Sequence, residues 1–379
     1  MTIEDLDSTN LIHGLDHQAR ALCSVTGEPD VAQFLVGTQT LRFENQVCLL
    51  SLDEDTNQIS KQTFLHSNGE VWHISSCPSD KRLLSTCHSK VDGGKCLSYC
   101  SIWCLPVSSD ESGADQQEQT QLEQRCSLDI QPASSISCFQ WQPSPSNCRK
   151  AFVLFDKSLA VVDANFTGKS CPLESKAELD AKAQHKFFAG KWNPHHNCST
   201  IAAAVDSTIQ GWDIRSMKQI FTLESTHIPV VRDLDFNPNR QYILVSCGDD
   251  SKIKFWDTRN PSKSLDTLSQ HSHWVWCVRY NPVHDQLLLS CSSDSRVLLH
   301  CAASLSSEPG EPDIDDDERD SDQLKLEDGL VKTYEEHEES VYSCEWANSQ
   351  PWIFVSLSYD GRVILSRVPR ATKYKIMQL

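Results

Sequence analysis

The chain has 379 residues, 39 % of them hydrophobic, and a net charge of −18. No apolar run approaches the ~18–20 residues of a membrane helix, and the acidic balance disfavours a nucleic-acid surface, which needs clustered Lys and Arg for phosphate contacts. Met1 to Asn10 holds three acids and no basic stretch, unlike a secretory signal, and seventeen irregularly spaced cysteines suggest reduced cytoplasmic thiols rather than a disulfide framework.

In chain order, one cassette recurs. An apolar residue is followed three on by a second apolar or small residue, five on by an aromatic and often seven on by Pro. About nineteen residues after its start, Asp-x-x-aliphatic opens a new apolar run. Leu11 to Leu15 precedes the weakest copy, Ala19 and Leu22 with Ser24 and Thr26 in the last two slots. Val71, Ile74 and Pro78 form the second, with Ser76 in the aromatic slot, and a polar stretch at 108–124 interrupts it. Ile136, Phe139, Trp141 and Pro143 lead to Asp156 and Leu159; Phe187, Gly190, Trp192 and Pro194 lead to Asp206 and Ile209. Val231, Leu234, Phe236 and Pro238 lead to Asp250 and Ile253; Val275, Val278, Tyr280 and Pro282 lead to Asp294 and Val297. A second polar insertion, 305–329, follows. Between Glu308 and Asp328 it sets eleven acids against Arg319 and Lys325, and Ser321 between Asp320 and Asp322 suits an acid-directed kinase. Both insertions are expected to be disordered. Val341, Cys344 and Trp346, with Asn348 for Pro, lead to Asp360 and Val363.

Seven cassettes thus start near 19, 71, 136, 187, 231, 275 and 341. Each spells a small sheet that cannot bury both faces alone, and repetition at ~40–45 residues is the mark of propeller blades. The expectation is an all-β, seven-bladed WD-repeat propeller, one closed domain over 11–379, with almost no helix. The closing strand should come from Leu11 to Leu15, or alternatively from Lys373 to Leu379, because an unpaired edge invites aggregation.

Polar residues repeat in register with the cassettes. His227, Ser246, Asp250 and Trp256 match the hydrogen-bonded tetrad of WD repeats. His271, Ser290 and Asp294 follow with His300 in the Trp slot, and His337, Ser356 and Asp360 with Ser366 there. The fourth cassette keeps Asp206 and Trp212 but has Ala183 and Ala202 for His and Ser. A catalytic triad occurs once, so a recurring Ser-His-Asp set is scaffolding. With no phosphate-cradling loop, paired metal-ligating His or nucleophile elbow, no enzyme activity, cofactor or small-molecule substrate is expected. Cys96, Cys100 and Cys104 are spaced by four along a strand, too far apart for the usual close zinc-binding pair, so no metal is expected.

Surface chemistry remains. Trp72, Phe188, Arg232, Trp276 and Tyr342 each follow the first apolar residue of a cassette; Trp274 precedes Val275 and Tyr359 precedes Asp360. They are expected to ring one mouth of the central channel as a protein-binding surface, the alternative being packing between blades.

The segment HIPVVRDLDFNPNRQYILVSCGDDSKIKFWDTRN at 227–260 is that of a WD-repeat protein. Together with FLVGTQTLRFENQV at 34–47, GEVWHISSCP at 69–78, HSHWVWCVRYNPVHDQLLLSCSSDSRVLL at 271–299 and SLSYDGRVILSRVPR at 356–370, it resembles the EARP-and-GARP-complex-interacting protein family. The likeness is weakest in blades 2 and 3. It implies a non-enzymatic adaptor binding subunits of the EARP and GARP tethering complexes, in endosomal recycling, retrograde transport to the trans-Golgi network and dense-core vesicle cargo sorting. Such an adaptor would be cytoplasmic, peripheral at trans-Golgi network and recycling endosomes, and held at membranes only through partners. A competing reading takes Trp212-Asp-Ile-Arg215 and Trp256-Asp-Thr-Arg259 as docking boxes of a cullin-RING ubiquitin ligase substrate receptor. A chromatin-type peptide reader is a third.

Overall fold

A computed structural model describes residues 10–41, 44–92, 94–106, 120–128, 135–144, 150–163, 170–179, 185–308 and 326–377. Seven antiparallel sheets form the blades of a propeller. Their innermost strands are Ala19–Ser24, Glu70–Cys77, Ile136–Trp141, Phe187–Trp192, Val231–Phe236, Val275–Tyr280 and Val341–Trp346. Second strands such as Ile243–Gly248, Leu287–Ser292 and Ile353–Ser358 are buried at every position, because both faces of each sheet are covered by neighbouring blades. The apolar clusters accordingly lie between blades: Val245 and Phe255 of blade 5 meet Val278 and Leu288 of blade 6.

The ring closes through the N-terminal segment. Leu11–Gly14 is the outer strand of blade 7, running antiparallel to Arg362–Arg367 from Leu11↔Leu365 to Gly14↔Arg362. Leu11 and Leu15 then pack into the cluster joining blade 1 to blade 7. Gly361 (φ +83°) lets the chain pass: a Cβ there would stand 2.4 Å from the His17 carbonyl oxygen. The alternative, a strand at Lys373 to Leu379, is overturned, since Arg370–Met377 is a helix, α1. Pro369 precedes it with φ already suited to a first turn, and its carbonyl accepts from the Lys373 N–H at 3.0 Å. Among the described residues no helix is long and apolar enough to cross a membrane.

Two short strands stitch blades to their predecessors. Thr120–Gln121 runs parallel to the outer strand of blade 1, and Ser170–Cys171 runs parallel to that of blade 2. The stretch expected to be disordered at 108–124 therefore ends in strand, with Glu123–Leu128 the fourth strand of blade 2; residues 107–119 lie outside the described residues. Of the acidic stretch 305–329, residues 309–325, including Ser321, also lie outside them. Its leading flank is tied down, Ser307 donating from N and Oγ to Asp285 at 2.7 and 2.9 Å.

Candidate functional site: the channel mouth

Every inner strand slips register at the same place. Val231 faces Gly248 and Asp233 faces Cys247, leaving Arg232 as the extra residue of a β-bulge. The same slip leaves out Arg20, Trp72, Ser137, Phe188, Trp276 and Tyr342 in the other six blades. A bulge re-aims the side chain it frees, and all seven line one cavity of about 320 Å³ at the channel mouth.

The large members of this ring touch. Trp276 lies between two guanidinium groups, Arg232 at 4.5 Å and Arg20 at 5.0 Å from its ring centre, and donates its indole N–H to Ser293 at 2.6 Å. Arg20 also covers Tyr342 at 4.6 Å and Trp72 at 5.9 Å. Exposed Trp274 meets Trp276 edge-on at 6.0 Å and Arg232 at 5.7 Å; exposed Tyr359 meets Tyr342 at 5.8 Å. Six of the seven residues expected on this surface thus form one patch. Phe188 stands apart from those ring contacts and packs on the core between blades 4 and 5, although it borders the same cavity. Arg20, which joins blade 1 to blades 2, 6 and 7, was missed. It directly follows the first apolar residue of its cassette, Ala19, so the rule that picked out the others reaches it too.

Deeper in the channel lie paired charges. Arg279 donates to Asp233 and, at 2.7 Å, to Glu345. Burial opposes the Arg279 charge, but these carboxylates outweigh it and raise its pKa above the ordinary value. Burial pushes the Asp233 carboxyl up to about 7, against the pull of Arg279 and Lys191. At the rim, Arg232 holds Asp249 through two bonds of 2.6 and 2.9 Å.

The recurring polar residues sit inside the blades. In blade 5, His227 bonds Asp250 at 2.7 Å and Ser246 at 2.8 Å, and Trp256 donates to Ser246 at 2.9 Å. Blade 6 joins His271 to Asp294 (2.9 Å) and Ser290 (2.8 Å), with His300 on Ser290 at 3.1 Å in the Trp role. Blade 7 departs from this scheme. His337 bonds Ser356 at 2.7 Å, but it reaches Asp360 only through the Ser358 hydroxyl, at 2.9 and then 2.5 Å. Blade 5 has Gly248 in that place, where a Cβ would stand 2.6 Å from His227 Cβ. Blade 4 recovers a His two positions beyond Ala183, His185 pairing with Asp206 at 2.6 Å. Blade 2 holds an unexpected set: His66, His88 and Trp103 converge on the Thr86 hydroxyl at 3.1, 3.2 and 2.8 Å. Burial lowers His66 to about 4 and His88 to about 3, so both are neutral.

Ser246 and Ser290 are fully buried, so no substrate reaches either hydroxyl. Cys96, Cys100 and Cys104 do not converge: Cys96 is exposed on the blade 2 hairpin, and Cys100 faces Cys87 in the sheet. One group among the described residues has metal-ligand proximity, the buried thiols of Cys277, Cys291 and Cys344, within 4.8 Å of one another, and no fourth His, Cys or acid joins them.

The family model described as the EIPR1 β-propeller matches residues 7–300, and the WD domain, G-beta repeat model matches 329–365. The chain is 46 % identical to the EARP-interacting protein homolog of Danio rerio and 46 % identical to EARP and GARP complex-interacting protein 1 of Homo sapiens. Each alignment covers 98 % of this chain and 99 % of the relative. EARP-interacting protein 1 of Caenorhabditis elegans is 35 % identical, over 97 % of this chain and 99 % of its own length. With a propeller of seven blades and near-complete coverage of these relatives, the chain belongs to the EIPR1 β-propeller family.

Proposed function

We propose that this chain is a non-enzymatic adaptor that binds subunits of the EARP and GARP vesicle-tethering complexes through the aromatic and arginine ring at its channel mouth. The observation that carries the reading is the near-full-length similarity to relatives named for interaction with those complexes. The ring supplies a physical means. Trp, Tyr and Arg are the side chains that dominate binding energy at interfaces: the rings bury large areas at low entropic cost, and Arg adds a fixed fork of charged donors. In this role the chain serves endosome-to-plasma-membrane recycling, retrograde transport to the trans-Golgi network and dense-core vesicle cargo sorting. It acts from the cytoplasm, peripherally at the trans-Golgi network and recycling endosomes, with membranes reached only through its partners.

The ubiquitin-ligase reading draws no support from its two boxes. Asp257 takes the Arg259 side chain at 2.7 Å while the guanidinium covers Tyr242 at 4.6 Å, so this arginine is engaged within its own blade. In the other box Asp213 accepts from the Arg215 backbone N–H and the Ser216 hydroxyl. Affinity capture of the tagged chain from cells tests the reading: EARP and GARP subunits should dominate the retained proteins. Recovery of a cullin adaptor in their place would overturn it.

A further inference from the structure

We propose that Arg20 is the anchor for a carboxylate side chain of the bound partner, an Asp or Glu presented to the channel mouth. The inference deepens the proposed function and rests on it. Arg20 is the bulge residue of blade 1, and its guanidinium is held by the rings of Tyr342, Trp276 and Trp72. The other arginines here already have their anions: Arg232 is bonded twice to Asp249, and Arg279 bridges Asp233 and Glu345. Among the described residues no carboxylate or other hydrogen-bond acceptor pairs with Arg20.

Such a cation is unusual in a chain of net charge −18. Burial pulls its pKa down, partly offset by Tyr342, with a further downward push from the nearby Arg232. Aromatic faces hold the plane of a guanidinium and leave its N–H edge free. That edge fits a carboxylate through two parallel bonds, which gain strength where water is partly excluded. Charge complementarity also selects the size of the anion. Asp249 is taken up by Arg232, and Asp233 and Glu345 by Arg279, so one unpaired guanidinium remains, and the single charge of one carboxylate matches it. The exposed rings of Trp72 and Trp274 offer apolar surface on either side, for the residues flanking that acid.

The test measures binding of purified EARP complex to immobilised wild-type chain and to Arg20→Met, Arg20→Lys and Trp276→Ala variants. Arg20→Met keeps an apolar stem against the rings and should melt like the wild type, yet weaken binding about tenfold or more, as loss of a charge-assisted bond requires. Arg20→Lys restores the charge without the planar fork and should recover only part of that loss. EARP treated with phosphatase should bind as before. If Arg20→Met binds within about twofold of wild type while Trp276→Ala does not, the face is right and the anchor is wrong. If both bind normally, the proposed face itself fails. Abolition of binding by phosphatase would replace the carboxylate by a phosphate and overturn the inference.

Discussion

Ser246 ties blade 5 together, bonding His227 on one side and accepting from Trp256 on the other, with no exposed surface of its own. Asp250 completes the chain by orienting His227. Removing one member strands its buried partners, at about 1–3 kcal/mol for each group left unpaired. Asp250→Ala should therefore lower stability by that amount, and Trp256→Ala by about 3–5 kcal/mol, because a buried indole leaves a cavity as well. Thermal melts check both; wild-type midpoints would mean that the tetrad carries no stability. These residues were legible because blades 5 and 6 keep the spacing between His, Ser and Asp. The blade 2 set was not. Its long hairpin, Asp80–Asp92 and Lys95–Cys104, moves Trp103 seventeen positions beyond Thr86, against ten between Ser246 and Trp256. Arg20 was legible by the rule that gave the others, following Ala19 as Trp72 follows Val71, but it lies in the weakest cassette, with Ser24 and Thr26 in its last two slots.

Elements at the two ends of the chain take different forms although both were candidates for the same job. LIHG at 11–14 alternates half-buried and exposed residues and fits beside the third strand of blade 7. RATKYKIM at 370–377 alternates Thr372, Tyr374 and Ile376 with lysines as a strand would, but it follows a proline that starts a helical turn and carries several good helix formers. The helix rests on blade 7 through Ile376 near Trp352, while the strand joins blade 7 to blade 1. Deleting residues 1–15 should consequently expose the edge of Arg362–Arg367, lower the melting midpoint markedly and promote association. Deleting 370–379 should do less. A melting scan with light scattering compares them, and an N-terminal deletion that melts as wild type would show that the ring closes without its outer strand. In the sequence the bulge of each inner strand is only a phase step, the apolar residues falling at +3 and +5 from the first rather than at the +2 and +4 of an uninterrupted strand. The bulge is nonetheless what turns seven separate side chains toward one mouth.

The whole molecule divides its chemistry between two ends. Strand Val275–Tyr280 shows this: beside its first residues Trp276 bonds Ser293, and just beyond its last ones Asp285 holds Ser307 at the root of the acidic stretch. The aromatic ring and the described root of the acidic stretch at Ser307 therefore lie toward opposite ends of this strand. Excess negative charge can steer encounter and set salt dependence, whereas affinity needs buried apolar area. The central claim is that partners bind the ring. Its most direct test is the dissociation constant of purified EARP complex for three chains side by side: wild type, the Trp274→Ala/Tyr342→Ala double variant, and a deletion of 308–328. The account predicts that the double variant loses binding by about a hundredfold, as two interface aromatics can carry, while still melting cooperatively. The deletion should bind within about threefold of wild type at physiological salt. Loss of binding on deletion, with the double variant unaffected, would contradict it.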